Sequence, residues 1–152
     1  MDIVKLSAKD LPEAIFTQLV DIENRCGLTP YSPAMLMACI TQMDTYACMD
    51  EDLVAGFITI HADLRRLGGG VYIANLNVAR NYRRKGIGQY LIRSACSRYP
   101  RAKIITLDVE KTNFAAIALY QKMGFEITDL PSANGDTDYV MLQSMENFRR
   151  QV

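Results

Sequence analysis

A short segment between a predicted strand and a predicted helix has the residue types that bind an anion. Arg83, Arg84 and Lys85 come directly before Gly86 and Gly88, where the helix begins. The first amides of a helix lack internal hydrogen-bond partners, and the helix dipole adds partial positive charge at the same end. Three cations are unfavourable there unless they share an anion, and glycines let a ligand approach the backbone. The segment therefore predicts an anion site, most simply for phosphate.

The same segment does not match the common nucleotide-binding motifs. A Walker loop needs GxxxxGK[ST], and the dinucleotide fingerprint GxGxxG needs a third glycine that is missing here. The acid that would bind a ribose is also missing, because Asp108 lies about 20 residues after Gly88 but at the end of a strand. Taken alone, the segment has one other interpretation, a solvated basic turn in which glycine allows a tight bend.

A second segment places a polar residue and a tyrosine on one face of a helix. Asn113 can cap the helix that begins there, and Tyr120 follows seven residues later. Seven residues bring the two side chains to within about 20° of the same helix face. They can therefore line one groove. The alternative is that Asn113 is only a cap and Tyr120 only a core residue.

The elements that must position these residues are predicted from apolar periodicity and turn residues. The predicted strands are 2–6, 45–50, 53–61, 71–79, 102–110, 125–130 and 138–145, and the predicted helices are 11–24, 33–42, 86–99 and 113–123. Ser32 is expected to cap the second helix, with Pro33 at its first position. Gly124 is expected to end the last helix as a left-handed cap. The order β-α-α-β-β-β-α-β-α-β-β predicts an α/β (α+β) fold. Its mixed, mostly antiparallel central sheet has six to seven strands and helices on both faces.

Length and composition agree with one globular domain over residues 1–152. The chain has 152 residues, and 49% of them are hydrophobic, which excludes a disordered or collagen-like chain. The four cysteines, Cys26, Cys39, Cys48 and Cys96, lack metal-ligand spacing, so we expect free thiols in a reducing compartment and no metal. Neither a signal peptide nor an apolar membrane span is recognisable, so we expect a cytoplasmic protein without a membrane partner.

Charge is distributed unevenly along a chain whose net charge is zero. Residues 64–107 contain ten Lys and Arg residues and no Asp or Glu, whereas both flanking segments are acidic. A nucleic-acid-binding domain would need such cations on one face, interleaved with aromatic side chains. The cations outside the anion segment are instead scattered over a predicted helix and its exit, which disfavours a nucleic-acid partner. Arg65 and Arg66 have no assigned role.

Both motifs resemble those of one enzyme family. Arg83-x-x-Gly86-x-Gly88 after a strand resembles the acetyl-CoA pyrophosphate loop of the GCN5-related N-acetyltransferases (GNAT). Asn113-x-x-Ala116-x-x-Leu119-Tyr120-x-Lys122-x-Gly124-Phe125 resembles the second cofactor motif of that family. The segment LDVEKTNFAAIALYQKMGF is most similar to the ribosomal-protein N-terminal (alanine) acetyltransferase branch. One departure is Arg80, which stands where the family often has proline and changes the stiffness of the loop.

The resemblance implies acetyl-CoA as cosubstrate and a set of residues that hold it. One strand would offer backbone groups to the pantetheine arm, the loop amides would hold the diphosphate, and Ala116 would leave room beside the cofactor. The implied cofactor-binding residues are Leu76, Asn77, Val78, Arg83, Arg84, Lys85, Gly86, Ile87, Gly88, Gln89, Asn113, Ala116 and Tyr120. Lys122 and Arg80 are further candidates near the adenosine phosphates.

The resemblance also implies direct attack by an amine in a ternary complex. Tyr120 would protonate the leaving thiolate. Asp108 stands where the related branch has a glutamate that serves as base, and Glu110, two residues further on the same strand face, is the competing candidate. A base acting through water is the third possibility. A covalent cysteine route is disfavoured because Cys96 falls in a helix with no cysteine–histidine pair.

The implied acceptor is a primary amine, with a preference for a protein or peptide α-amine. The alternatives are a small-molecule amine or amino acid and, in another class, a non-catalytic acyl-CoA-binding module, against which the presence of Tyr120 argues. Topology assigns acceptor binding to the loops 28–32, 62–70 and 130–138, where Tyr31 and Tyr139 could flank a peptide groove. His61 is expected at the surface, and the protein is expected to be a monomer or homodimer.

Overall fold

The computed structural model describes residues 1–26, 29–63 and 69–151. Seven strands lie in these ranges: β1 (Asp2–Lys5), β2 (Asp44–Asp50), β3 (Leu53–Asp63), β4 (Gly70–Val78), β5 (Ile104–Glu110), β6 (Glu126–Ile127) and β7 (Asp138–Ser144). The α-helices described are α1 (Glu13–Cys26), α2 (Pro33–Gln42), α3 (Ile87–Cys96), α4 (Phe114–Lys122) and α5 (Met145–Arg150).

The strands form one mixed sheet with the order β1-β2-β3-β4-β5-β7-β6. Strands β4 and β5 are parallel over Gly70–Ile73 and Ile104–Leu107. The pairs β1–β2, β2–β3, β5–β7 and β6–β7 are antiparallel. The predicted fold class, with a mostly antiparallel sheet, is therefore confirmed.

The chain divides into two compact units, residues 1–61 with 75–95 and residues 62–74 with 96–152. In the first unit, α1, α2, β2 and β3 share an apolar core built from Leu6, Leu19, Ile22, Leu36, Ile40, Ala47, Val54 and Phe57. In the second unit, buried side chains of β5, α4, β7 and α5 include Ile105, Leu107, Tyr120, Met141 and Phe148. The prediction of a single domain over 1–152 stays a prediction.

Local signals set the ends of two helices as expected. Ser32 accepts a hydrogen bond from the amide of Met35 at 3.2 Å, and Pro33 occupies the first position of α2. Gly124 follows α4 with φ +97°. A β-carbon there would also lie 2.5 Å from Gln143 Oε1, so both conformation and space require glycine.

Several boundaries differ from the prediction by one to three residues, and three of them have a local cause. Strand β6 has two residues rather than 125–130, because local bonds take the flanking amides: that of Phe125 donates to Tyr120 at the end of α4, and that of Leu130 donates to the hydroxyl of Thr128 at 3.2 Å. Helix α1 begins at Glu13 rather than at residue 11, since the carbonyl of Pro12 accepts its first hydrogen bonds. Helix α3 ends at Cys96 rather than at residue 99, where the proline at 100 disfavours helical backbone before it.

Helix α5 was not predicted. Ser144 caps it by accepting from the amide of Asn147 at 3.0 Å, and Met145 and Phe148 are buried. The cap, an acid in the first turn and two arginines in the last turn are a helix signal. The pattern is only six residues long, which is too short for periodicity to distinguish it from the preceding strand.

Candidate active site

The basic turn before α3 has the backbone of an anion-binding loop. Arg84 has φ +63° and Gly86 has φ +78°, so two residues in three are left-handed immediately before the helix. A left-handed conformation is rare for arginine and, when present, is concentrated at functional sites. A β-carbon on Gly86 would meet nothing within 4 Å, so the space in front of this residue is open. Arg83, Arg84 and Lys85 are exposed around it.

Consecutive backbone amides at this turn have no partner among the described residues. The amide of Arg83 donates to the carbonyl of Arg80, and the amide of Tyr90 donates to the carbonyl of Gly86. Between them, the amides of residues 84–89 donate to no described backbone or side-chain acceptor. Successive amides of this kind form a concave, electropositive cradle for an oxyanion. The predicted residues Ile87, Gly88 and Gln89 belong to this cradle.

Strand β4 approaches β3 closely beside α3. The carbonyl oxygen of Asn77 lies 2.7 Å from the position that a β-carbon on Gly56 would occupy, and the amide of Ala79 donates to Ala55. The backbone groups of Asn77 and Ala79 therefore face β3. Because backbone groups alternate along a strand, those of Leu76 and Val78 face away from β3. The backbone contact of Leu76, Asn77 and Val78 with a pantetheine arm stays a prediction.

The side chain of Asn77 belongs to a buried polar cluster. Glu23 on α1 is only 2% exposed, and its Oε1 accepts from Asn77 Nδ2 at 2.8 Å and from Asn75 Nδ2 at 2.7 Å. Its Oε2 accepts from the amide of Tyr31 at 3.1 Å. One carboxylate thus ties the segment after α1 to β4. No sequence motif includes Glu23, although its position four residues after the core residue Leu19 places it on the buried face of the helix.

The start of α4 is set by Asn113. Its Oδ1 accepts from the amide of Ala116 at 3.3 Å, as predicted for a cap. The side-chain nitrogen of Asn113 is a separate donor, so capping and ligand binding are compatible in one amide group. Ala116 is half-buried, and Lys122, at the last position of α4, is exposed.

Tyr120 is held by the end of α4. The amide of Phe125 donates to the carbonyl of Tyr120 at 3.0 Å, and the amide of Gly124 donates to that of Gln121 at 3.0 Å. These two bonds form a Schellman motif, whose usual hydrophobic contact is here the edge-to-face contact of the Tyr120 and Phe125 rings at 5.9 Å. Tyr120 is 8% exposed, and burial raises its pKa to about 12. Its phenol therefore keeps its proton throughout the neutral pH range.

The free energy of unfolding is expected to fall as pH rises above about 9. Burial raises the pKa of the Cys96 thiol from 9.0 to about 12 and that of Tyr120 from 10.0 to about 12. Between these values the unfolded chain loses protons that the folded chain keeps, so stability present below pH 9 is lost as pH rises towards 12. Each group lowers the free energy of unfolding by about 1.4 kcal/mol per pH unit between its pKa in the unfolded chain and its pKa in the folded chain.

Urea unfolding at pH 8, 9, 10 and 11 measures this loss. Tyr120→Phe should flatten the decline above pH 10, and Cys96→Ala should flatten it from pH 9, since each removes one titrating group. If the free energy of unfolding of both variants falls with pH as steeply as that of the wild-type chain, Tyr120 and Cys96 are not the groups that cause the loss.

Asp108 on β5 has two unlike carboxylate oxygens. Its Oδ2 accepts from the hydroxyl of Ser132 at 2.7 Å, whereas its Oδ1 is buried and has no described partner. Glu110, two residues further along β5, is half-buried and has interactions of its own. Ser132 was not recognised from the sequence, because no pattern connects a loop serine with an aspartate 24 residues earlier.

Some of the remaining predicted residues lie outside the part of the chain that the structure describes. These are Leu28, Arg65 and Arg66, together with the side chain of Cys26. His61 is exposed, as expected, and the thiols of Cys39, Cys48 and Cys96 are free and buried. Lys111 Nζ lies 5.1 Å from the centre of the Tyr139 ring.

Two features are absent from the ranges that the structure describes. No cluster of three or more His, Cys, Asp and Glu side chains there has an arrangement that could hold a metal ion. None of the helices in these ranges combines the length and apolar character needed to cross a bilayer.

The chain belongs to the acetyltransferase (GNAT) family, because the model of that family matches residues 16–125. The resemblance seen in the two motifs is thereby confirmed. N-alpha-acetyltransferase 30 of Xenopus laevis is 30% identical over 131 residues, which make up 82% of this chain and 41% of that protein. The chain spans between about a third and two fifths of the length of the N-alpha-acetyltransferase 30 proteins that it matches.

Two further relatives match this chain over nearly their full length. The ribosomal protein bS18 alanine N-acetyltransferase of Salmonella typhimurium is 26% identical over 147 residues, covering 90% of this chain and 92% of that protein. The structure of Arabidopsis thaliana Naa50 with the bisubstrate analogue CoA-Ac-MVNAL has a TM-score of 0.71 and 25% identity, covering 95% of this chain and 99% of that one. The predicted alanine acetyltransferase branch is thus among the relatives.

Proposed function

We propose that this protein is an acetyl-CoA-dependent N-acetyltransferase that acts on a protein or peptide α-amine. The observation that carries the proposal is the cradle of unpartnered amides at residues 84–89 in a chain of the GNAT family. A diphosphate fits this cradle because it offers several anionic oxygens to amides that would otherwise lack acceptors. Arg83, Arg84 and Lys85 add charge of the matching sign.

Acetyl-CoA supplies an activated thioester, and the residues of this chain must supply a neutral amine and a proton. An α-amine, with a pKa of about 7.7–8.0, is deprotonated far more readily at pH 7 than a lysine amine, with a pKa of about 10.4. Asp108 is the better candidate for the base, since its Oδ1 is a buried acceptor without a described donor. Tyr120 keeps its proton at neutral pH and is the candidate acid for the leaving thiolate.

The preference for an α-amine is supported by the relatives. The name of N-alpha-acetyltransferase 30 specifies an α-amine, and that of the Salmonella protein specifies an alanine of ribosomal protein bS18. The Naa50 structure contains the bisubstrate analogue CoA-Ac-MVNAL. A small-molecule amine remains the second candidate. We also propose a cytoplasmic location, supported by the free buried thiols, and a monomer or homodimer as the assembly state.

A panel of amines with acetyl-CoA tests the proposal. It should include Met-Val-Asn-Ala-Leu, a peptide that begins with Ala, the same peptides with blocked N-termini, lysine and small primary amines. We expect release of free thiol and a mass increase on the α-amine of at least one unblocked peptide, with no product from the blocked forms.

Other outcomes of the panel separate the alternatives. Product from small amines alone would support a small-molecule acetyltransferase. Binding of acetyl-CoA without thiol release from any amine would support a non-catalytic acyl-CoA-binding module. Absence of binding in calorimetry would reject the cradle as a cofactor site.

A further inference from the structure

We propose that Ser132 is a positioning residue that orients Asp108 so that one carboxylate oxygen is presented to the acceptor amine. The inference rests on the proposed acetyltransfer and on Asp108 as its base. It extends the site to the loop between β6 and β7, which none of the sequence motifs includes. Its basis is the unequal state of the two carboxylate oxygens of Asp108.

The direction of the Ser132 hydroxyl is determined by its two hydrogen bonds. The oxygen accepts from the backbone amide of Asn134 at 3.0 Å, and the hydroxyl donates to Asp108 Oδ2 at 2.7 Å. A serine hydroxyl has one proton, so the proton of Ser132 is directed at Asp108. This bond fixes the rotation of the carboxylate and therefore the direction of its other oxygen.

The second carboxylate oxygen, Oδ1, indicates a ligand that donates a hydrogen bond. Oδ1 of Asp108 is buried and has no partner among the described residues. A buried acceptor without a donor is costly, and more so when it is charged. An amine or ammonium group brings N–H donors, so an acceptor amine is the kind of ligand that this oxygen lacks. Ser132 thus occupies one oxygen and leaves the other for the amine.

The loop around Ser132 is anchored independently of Asp108. The hydroxyl of Thr137 donates to Asp138 Oδ1 at 2.9 Å, and Asn134 Nδ2 donates to Asp138 Oδ2 at 3.0 Å. The amide of Lys111 donates to the carbonyl of Thr137 at 2.9 Å. Loss of the Ser132 hydroxyl should therefore leave the loop in place while it frees the Asp108 carboxylate to rotate.

The test compares variants in single-turnover acetyl transfer to Met-Val-Asn-Ala-Leu and to the peptide that begins with Ala. Ser132→Ala should lower the rate of transfer at least about tenfold, with the calorimetric affinity for acetyl-CoA unchanged, because a misdirected base loses part of its contribution. Ser132→Thr keeps the hydroxyl and should restore most of the rate. Thr41→Val is the control, because it removes a hydroxyl that donates to the carbonyl of Met37 within α2 and neither contacts Asp108 nor anchors the loop that carries Ser132.

A double-mutant cycle shows whether Ser132 acts through Asp108. Asp108→Asn should lower the rate by about 10² to 10⁴, the contribution typical of a positioned base. In that background, Ser132→Ala should cost little more, because the carboxylate that it orients is gone. Circular dichroism and thermal unfolding confirm that each variant is folded.

The outcomes distinguish this proposal from the proposed function. Acetyl transfer by the wild-type chain together with a normal rate for Ser132→Ala overturns the positioning role alone. An equal loss in both backgrounds identifies Ser132 as merely structural and also overturns it. A normal rate for Asp108→Asn removes the base and this proposal with it, while the acetyltransferase function stands. Failure of the wild-type chain to acetylate any amine rejects the proposed function itself.

Discussion

Replacing Gly86 with glutamate is expected to abolish acetyl-CoA binding, with a loss of affinity of at least about a hundredfold, or about 2.7 kcal/mol. Gly86 has φ +78°, a conformation that costs roughly 1–2 kcal/mol for a residue with a β-carbon. The new carboxylate would also lie beside the unpartnered amides of residues 84–89 and compete with the diphosphate for them. Repulsion between the two anions adds to the loss. Isothermal titration calorimetry with acetyl-CoA measures the effect.

Gly135 provides a matched control for this substitution. It has φ +79°, and a β-carbon there would also meet nothing within 4 Å, so Gly135→Glu carries the same backbone strain and the same added charge. It lies in the loop between β6 and β7 rather than in the amide cradle. Affinity for acetyl-CoA should therefore stay near the wild-type value in Gly135→Glu. An unchanged affinity in Gly86→Glu would reject the cradle as the diphosphate site.

Replacing Tyr120 with phenylalanine is expected to lower the rate of acetyl transfer by about 10² to 10⁴, the range typical of a positioned general acid. Phenylalanine keeps the edge-to-face contact with Phe125 and the Schellman motif, whose hydrogen bonds are formed by the backbone. The affinity for acetyl-CoA should therefore change little. Single-turnover measurements separate the chemical step from product release.

The control for the tyrosine variant is Tyr99→Phe, which removes a phenolic hydroxyl from the turn after α3. Its rate and its acetyl-CoA affinity should both remain near the wild-type values. If Tyr120→Phe transfers the acetyl group as fast as the wild-type chain in a single turnover, Tyr120 is not the acid. Equal losses of rate and of affinity would instead identify a binding role for its hydroxyl.

Much of the site that these variants test was predictable because its signals are local. The cations and glycines at 83–88 indicated an anion site, and the structure shows left-handed backbone and unpartnered amides at that place. Asn113 was predicted as a cap and Gly124 as a left-handed terminator, and both were found. Each of these features depends on a few consecutive residues, whose conformational preferences act over one turn.

The sequence-based prediction of helices and strands is wrong where an element is too short to show a period or where other hydrogen bonds set its end. Helix α5 has six residues, too few for a helical period to appear, and the strand before it has no breaker at its end. Strand β6 was predicted too long because its residues suit a strand, whereas the amides of Phe125 and Leu130 donate to Tyr120 and to the Thr128 hydroxyl instead of to β7.

The sequence by itself determined the order of the elements, the fold class and the residues that cap and terminate helix α4. It also determined the family, through two motifs that each lie within one strand-to-helix or helix-to-turn segment. Only the tertiary structure decided the contacts of Asp108: it brings Ser132 to one carboxylate oxygen across 24 residues of chain and leaves the other buried without a described donor, which is why we propose Asp108 as the base. Glu23 is a parallel case, since its donors Asn75 and Asn77 lie more than 50 residues away. Hydrogen bonds between distant segments arise when the core packs, and periodicity records which faces pack but not which polar groups meet.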